Sequence, residues 1–340
     1  MNAEEIEEIN AEEIEEINAE EEINAEEEIN AEEEINAEEE INAEEIEEIN
    51  AEEINAEEMS DNSENIERYI HSIWQKRHNT RENHLLFNIE NINIYTNTIR
   101  FAKDKIPDEV IDAYMFSIIR QQKSNYQYLK CTLMSMIFDV RQQAAVSELE
   151  IVGETVIGVL NIGSNHWMLI VIYINTKTIL LVDPLGELER SKKEILQNWR
   201  NFININESVC STVDGWVVNG IPHPKQPDSI SCGVLCLKFA EKIISGLEVS
   251  FSVTDNDLST YRMEILKTIF KIQGSTVSDI CRICSTKYPK GQVNNIQWIG
   301  CDKCMVFWVH YKCMRTLKTF SELSTLVYIC PLCTYIPSNW

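Results

Sequence analysis

Four residues in the middle of the chain have the types that nucleophilic catalysis by a thiol requires: His166, Asp183, Gln226 and Cys232. A thiol needs a base to hold it as thiolate, and the base needs a carboxylate to orient it. The oxyanion formed by attack on a carbonyl needs an N–H donor. Cys232 follows Asp228-Ser229-Ile230-Ser231 and precedes an apolar helical run from Gly233 to Ala240, which puts its sulfur at a helix N-terminus. There the free backbone N–H groups and the helix dipole favour the thiolate. Gly233 permits close approach of a substrate backbone, and Gln226, six residues before Cys232 across a Pro-bearing loop, supplies a side-chain N–H for the oxyanion. If Asn175-Thr176 is a two-residue hairpin turn, residues whose numbers sum to 351 lie opposite each other. Asp183 then faces Met168, with His166 as its diagonal neighbour on the same face. Each residue alone has a commonplace reading: a partly buried strand histidine, an Asp-Pro turn, a core cysteine.

A second constellation begins at Cys281. The spacing is C-x2-C, 16 residues, C-x2-C, five residues, His310, two residues, Cys313, 16 residues, C-x2-C. The eight ligands Cys281, Cys284, Cys301, Cys304, His310, Cys313, Cys330 and Cys333 suffice for two tetrahedral Zn2+ sites, and a segment of about 55 residues is too small to fold on apolar area alone. These zinc ions are structural; the thiol chemistry needs no cofactor. The remaining cysteines, Cys131, Cys210 and Cys236, are predicted to be core or incidental, and His71, His78, His84 and His223 to be solvated or loop residues.

The elements that must position these residues follow from periodicity. Pro107 to Arg120 carries Val110, Ile111, Tyr114 and Ile118 at helical spacing behind a first-turn proline. Glu154 to Leu160, His166 to Ile174 and Thr178 to Val182 are rich in β-branched residues and bounded by Gly, Asn or Pro, so they predict strands. Ser231 to Ser245 and Leu258 to Phe270 return to helical periodicity. The order predicts an α+β domain over 84–272, a polar break, and a zinc module over 279–337. A polar link over 59–83 precedes the domain.

The 340 residues carry 56 acidic and 29 basic groups, a formal net charge of -27. Residues 1–58, a degenerate repeat of the type INAEEE, hold 28 of the glutamates and no Lys or Arg, so the rest of the chain is close to neutral. A neutral body argues against gripping nucleic acid through a strongly basic face and suits protein partners. The five- to eight-residue units are too short for a solenoid, and isoleucines six apart spiral around a helix without forming a stripe. A disordered acidic segment is predicted. No apolar run is long enough for a membrane span, and the glutamate-rich start is unlike a secretory signal.

His166-Trp167, 17 residues to Asp183-Pro184, then Gln226, five residues and Cys232-Gly233, resembles the Ulp/sentrin-protease family, cysteine proteases that cleave ubiquitin-like modifiers such as SUMO after a Gly-Gly end. KIPDEVIDAYM at 105–115, SCGVLCLKFAEKIISG at 231–246 and DLSTYRMEI at 257–265 look like the family's N-terminal, nucleophile and closing helices. The resemblance implies a papain-like, adenain-type α+β fold and gives Trp167 and Asp108 substrate-binding roles. It departs at one place: the family usually has Trp-Leu-Asn-Asp where this chain has Lys105-Ile106-Pro107-Asp108, so an aromatic that roofs the tunnel for the Gly-Gly end is missing.

The zinc segment, with its WIGCDKC, FWVHYKC and YICPLC, resembles a cross-braced PHD finger. That resemblance assigns Cys281, Cys284, His310 and Cys313 to one zinc and Cys301, Cys304, Cys330 and Cys333 to the other. It implies a histone H3 tail as partner, with Tyr288, Trp298 and Trp308 as walls of a methyl-lysine cage; a structural role for Trp308 is the rival, as is a solvated knuckle position for Asp302. The expected function is a nuclear thiol isopeptidase, alternatively a cytoplasmic one, that takes a ubiquitin-like modifier and its conjugates as partners, SUMO foremost. The alternatives are a non-cleaving chromatin reader or modifier-binding adaptor, and a ligase for the same modifier.

Overall fold

The apolar run HWMLIVIY at His166–Tyr173 forms β5, the centre of a five-stranded sheet. In order across the sheet lie β3 (Tyr126–Leu129), β4 (Thr155–Ile162), β5, β6 (Thr178–Val182) and β7 (Val217–Asn219). The three middle strands are antiparallel and the two outer ones run parallel to their neighbours. Both faces of β5 are covered, which is why it reads as a nearly continuous apolar run and not as an alternation. Leu169 and Val171 face one core; Met168, Ile170 and Ile172 face the other. The chain is described here from a computed structural model that defines residues 63–76, 83–122, 125–206, 213–271, 280–291, 295–314 and 316–335. The acidic repeat expected to be disordered lies outside the described residues, as do His78 and Cys210.

Helices α3 (Asp108–Gln121), α6 (Cys232–Ile244) and α7 (Asp255–Lys271) cover the first face. On the second face α4 (Cys131–Phe138) and α5 (Glu189–Ile205) bury Met134, Ile137, Trp199 and Phe202. The approach of α4 to β4 requires Gly158, because a Cβ there would lie 2.5 Å from the Met134 side chain and 2.9 Å from the Leu129 carbonyl oxygen. The helices and strands expected from periodicity are all found, with ends shifted by a few residues.

The link expected over 59–83 needs correction. Residues 63–75 form a helix, α1, whose Ile66, Tyr69, Ile70 and Ile73 are buried in the main core. A hairpin follows, β1 (Leu85–Ile89) and β2 (Ile92–Tyr95), turned by Glu90 and Asn91, both at positive φ as a two-residue hairpin requires. A short helix α2 (Thr96–Phe101) leads on to α3.

The segments 84–272 and 279–337 lie against each other within one unit, Ser63–Trp340. In the cysteine-rich segment β8 (Trp298–Gly300) pairs antiparallel with β9 (Trp308–His310). On the other side of β9 the Arg282 N–H donates to the Trp308 carbonyl (2.9 Å), while the Arg282 carbonyl accepts the Leu85 N–H of β1 (2.6 Å). One backbone residue thus joins the two sheets. Arg282 is 5% exposed, and its guanidinium donates to the carbonyls of Leu86 (2.9 Å) and Val306 (3.4 Å) and lies over the Phe307 ring. Helix α9 (Pro331–Tyr335) adds Leu332 to the main core and sets Tyr335 against Tyr69 of α1. Helix α8 (Phe320–Ser324) opens on a capping box between Thr319 and Glu322. No helix among the described residues is long and apolar enough to cross a membrane.

Candidate functional site

The β5–β6 hairpin has the register expected from the sequence, Leu169 opposite Val182 and Tyr173 opposite Thr178. His166 at the start of β5 and Asp183 just past the end of β6 therefore meet, with His166 Nε2 2.7 Å from Asp183 Oδ1. Asp183 also makes the turn that its Asp-Pro sequence signals. Its Oδ1 accepts the Leu185 N–H (2.8 Å), and its carbonyl accepts the Gly186 N–H (2.7 Å). The turn residue and the residue that orients histidine are one and the same, so the carboxylate is fixed before histidine engages it.

Cys232 is the first residue of α6, and its sulfur interacts with the His166 ring. Since Nε2 takes Asp183, Nδ1 is the nitrogen left for the thiol. Burial alone would raise the Cys232 pKa, but the His166 ring and the N–H groups of Trp167 and Gly233 outweigh it, and the thiol lies below its ordinary value. His166 is raised to about 9, through its hydrogen bonds to Asp183 and then Cys232, against the opposing effect of burial. Opposite shifts in the two partners favour an imidazolium–thiolate pair. The two other described thiols between residues 84 and 272 behave oppositely: burial pushes Cys131 and Cys236 well above the ordinary range. Both are core residues, as expected.

Gln226 lies in the loop between β7 and α6. Its Nε2 donates to the Asp228 carbonyl (2.7 Å), which fixes the amide's orientation and leaves the second Nε2 proton for another acceptor. The Gln226 N–H donates to the Pro184 carbonyl (2.9 Å), tying this loop to the Asp183 turn. Ser231, fully buried before the nucleophile, is held by Asp228 Oδ2 (2.6 Å) and by Arg262, which donates to its hydroxyl (2.7 Å). Arg262 also reaches the Asp104 carbonyl (3.2 Å). This buried clamp between α7, the nucleophile loop and the segment before α3 was not anticipated from sequence.

A Cβ on Gly233 would lie 3.0 Å from Ile106 and 3.2 Å from Trp167. These two side chains wall the approach to the nucleophile, so an aliphatic wall stands beside the expected aromatic one. A cleft of about 1290 Å³ opens from them and takes in Lys105, Asp108, Cys131 and Asn165, though not Cys232 itself. Lys105 Nζ donates to Asn165 Oδ1 (2.6 Å), spanning from the segment before α3 to the β4–β5 turn. Asp108 stands exposed on the cleft in the first turn of α3.

In the cysteine-rich segment the candidate ligand atoms gather in two groups, Cys281, Cys284, His310 and Cys313, and Cys301, Cys304, Cys330 and Cys333; within each, all lie within 4.8 Å of one another. This is the interleaved pairing. Cys304 and Cys330 sulfurs are 3.9 Å apart, close to the roughly 3.8 Å separating sulfurs around a tetrahedral ion with Zn–S near 2.3 Å. His310 Nε2 donates to the Lys287 carbonyl (3.0 Å), leaving Nδ1, 3.4 Å from Cys284 Sγ, for a metal. The donor sets fit soft, four-coordinate ions such as zinc. Ser285 and Met305, each following a C-x2-C pair, share φ 57 and donate their N–H groups back to Cys281 and Cys301.

Of the three expected cage residues, Tyr288 and Trp308 are exposed and Trp298 is half-buried. Trp298 packs on the His310 ring, centroids 4.1 Å apart. Trp308 lies over Gly300, donates to the Met305 carbonyl (2.8 Å) and remains partly exposed, as does Tyr288. Asp302 Oδ2 accepts the Tyr328 N–H (2.6 Å), so its role is to hold the two halves of the second metal group together.

Residues 153–277 match the Ulp1 protease family, C-terminal catalytic domain. No curated protein matches the chain. Among solved structures, the C-terminal Ulp1 protease domain in complex with Smt3, the yeast ortholog of SUMO, superimposes with a TM-score of 0.52 at 18% identity, over 61% of this chain and 94% of that one. The SUMO protease Ulp1 with its catalytic cysteine oxidized to a sulfonic acid gives 0.51 at 18% identity over the same shares. These likenesses establish the fold, and the family match makes residues 153–277, which hold His166, Asp183 and Cys232, a cysteine protease domain of Ulp1 type.

Proposed function

We propose that the chain hydrolyses the bond after the Gly-Gly end of a ubiquitin-like modifier, SUMO foremost, both as an isopeptidase on lysine conjugates and as an endopeptidase on precursors. The observation that carries this reading is the His166–Asp183 contact of 2.7 Å beside a thiol lowered by the same histidine. In this reading the Cys232 thiolate attacks the carbonyl, and His166 gives its proton to the leaving amine. Water, deprotonated by His166, then releases the acyl group. The Cys232 backbone N–H at the start of α6 and the free Gln226 Nε2 proton serve the oxyanion. Gly233, Ile106 and Trp167 suit a narrow channel that admits glycine without side chains, and Asp108 is placed to meet the modifier at the cleft. SUMO and ubiquitin carrying C-terminal propargyl groups test it: attachment of one at Cys232, lost in Cys232→Ala, is the expected result. The intact pair of catalytic groups disfavours the non-cleaving adaptor.

The zinc segment is proposed to hold two structural Zn2+ and to bring the enzyme to a peptide, a histone H3 tail being the expected one, which would place the protein in the nucleus. Support comes from the exposed rings of Tyr288 and Trp308, and from β8, whose outer side faces no strand among the described residues. Binding of methylated and unmodified H3 peptides to the full chain is the measurement.

A further inference from the structure

A second histidine–carboxylate pair stands behind the first. His223, expected from sequence to be a solvated or loop residue, lies in the β7–α6 loop but has a side chain only 1% exposed, packed edge-on against Phe239. Its Nδ1 lies 2.9 Å from the Pro224 carbonyl and its Nε2 lies 2.7 Å from Glu187 Oε1. A carbonyl can only accept, so Nδ1 is the donor in that contact. The same Glu187 Oε1 accepts the backbone N–H of Asp183 (3.1 Å). One oxygen therefore joins a buried imidazole in the β7–α6 loop to the residue that orients His166.

The placement explains how the acid turn is fixed. Asp183 sits one residue past the last strand position of β6, where ladder bonds no longer hold it. Its carbonyl and carboxylate are used within its own turn, and the N–H is anchored by Glu187. Glu187 is seated closely, since a Cβ on Gly220 would lie 3.2 Å from its carboxyl carbon. The loop that carries His223 also carries Gln226 and ends at Cys232, so the contact fixes the acid turn relative to the nucleophile.

Resting on the protease reading above, we infer that Glu187 and His223 are positioning residues: the Glu187 carboxylate, held by His223, anchors the Asp183 backbone and so keeps Asp183 aligned on His166. Neither touches the reacting atoms. Their loss is felt as a weaker imidazolium–thiolate pair, which a fold-stabilising contact alone would not alter.

The test is the pH profile of Cys232 alkylation by iodoacetamide in the full chain, read at that residue by peptide mass spectrometry. It needs no knowledge of the modifier. Glu187→Ala is expected to move the rise in reactivity to higher pH, slowing alkylation at pH 6 about tenfold, as a one-unit rise in the thiol's pKa requires. Glu187→Gln keeps an oxygen for the Asp183 N–H and is expected to stay within about threefold of wild type. In an Asp183→Asn background, Glu187→Ala should add less than about twofold, since its effect runs through Asp183. If Glu187→Ala does not fold, His223→Gln replaces it, with a shift in the same direction expected. A depressed wild-type profile left unchanged by these variants, or a full additional loss in the Asp183→Asn background, overturns the assignment while leaving the protease reading standing. An ordinary thiol profile in the wild type overturns both.

Discussion

His166 and Asp183 are 17 positions apart yet meet at 2.7 Å, because the β5–β6 register sets them on the same face, one diagonal step apart. The contact is a product of one hairpin. Cys232 comes from elsewhere, on a helix that packs against that hairpin. Cys232→Ala and His166→Ala should abolish cleavage of a Gly-Gly-linked substrate, while Asp183→Asn, which loses the carboxylate but keeps the shape, should lower kcat by about 10²-fold or more. Initial rates on a modifier precursor, with folding checked by circular dichroism, decide this. Full activity of Cys232→Ala would remove the mechanism.

The pH dependence has a definite sign. Cys232 lies below its ordinary value and His166 is raised to about 9, so the ion pair is present between the two. Activity should rise as the thiol ionises, hold across neutral pH, and fall as His166 loses its proton near pH 9. The His166 contribution to stability is complete below its unfolded pKa of about 6.5 and is lost as pH rises through about 9. A kcat/KM profile with no decline by pH 10 would contradict the raised histidine.

Metal removal should act beyond the ligands. Two zinc ions per chain are expected by elemental analysis, and chelation should unfold the region around β8 and β9. Because Arg282 bonds to β1, hydrogen exchange at Leu85–Tyr95 should accelerate on chelation, and the melting temperature of the protease body should fall. Alkylation of Cys232 should persist, since no ligand of either metal group belongs to the His166 site. Protection unchanged at β1 would mean that the two sheets are not energetically joined.

Arg282→Ala isolates that junction without touching a ligand. It strips donors from the carbonyls of Leu86 and Val306 in a buried site, at a cost of about 1–3 kcal/mol. Denaturant unfolding with zinc bound should show this loss. A change below about 0.5 kcal/mol would place the guanidinium among ordinary surface groups.

For peptide recognition, Tyr288→Ala is the cleanest probe of a cage. Trp298 lies against the His310 ring and Trp308 covers Gly300, so changing either disturbs the metal site or the β8–β9 pair. Trimethylated H3 peptide should bind the full chain more tightly than unmodified peptide, and Tyr288→Ala should narrow the difference by about 0.5–2 kcal/mol. Equal affinities in the wild type would exclude the cage.

Much of the site was legible because local signals fixed it. The Asn175-Thr176 turn set the register that pairs His166 with Asp183, and the apolar run after Cys232 placed the thiol at a helix start. Helix α1 carried its own signal, Ile66, Tyr69, Ile70 and Ile73 at helical spacing, but polar residues on the other face and the adjoining acidic repeat masked it. The Glu90-Asn91 turn gave a weak hairpin cue because glutamate is unusual at positive φ. Glu187 and His223 were out of reach: they meet across two loops whose paths no periodicity describes. The same holds for the Arg282 bridge, where a knuckle residue reaches a strand almost 200 positions earlier.

That bridge bears on how the chain tolerates cutting. Backbone of the cysteine-rich segment supplies the hydrogen-bond partner on the side of β1 that β2 leaves open. Proteolysis or truncation after α7 would bare β1 as an edge strand, with the apolar LLF sequence at its start, and such a strand is a template for pairing with other chains. The cysteine-rich segment is thus a cover as well as an appendage, and a protease fragment lacking it should self-associate even with its active centre intact.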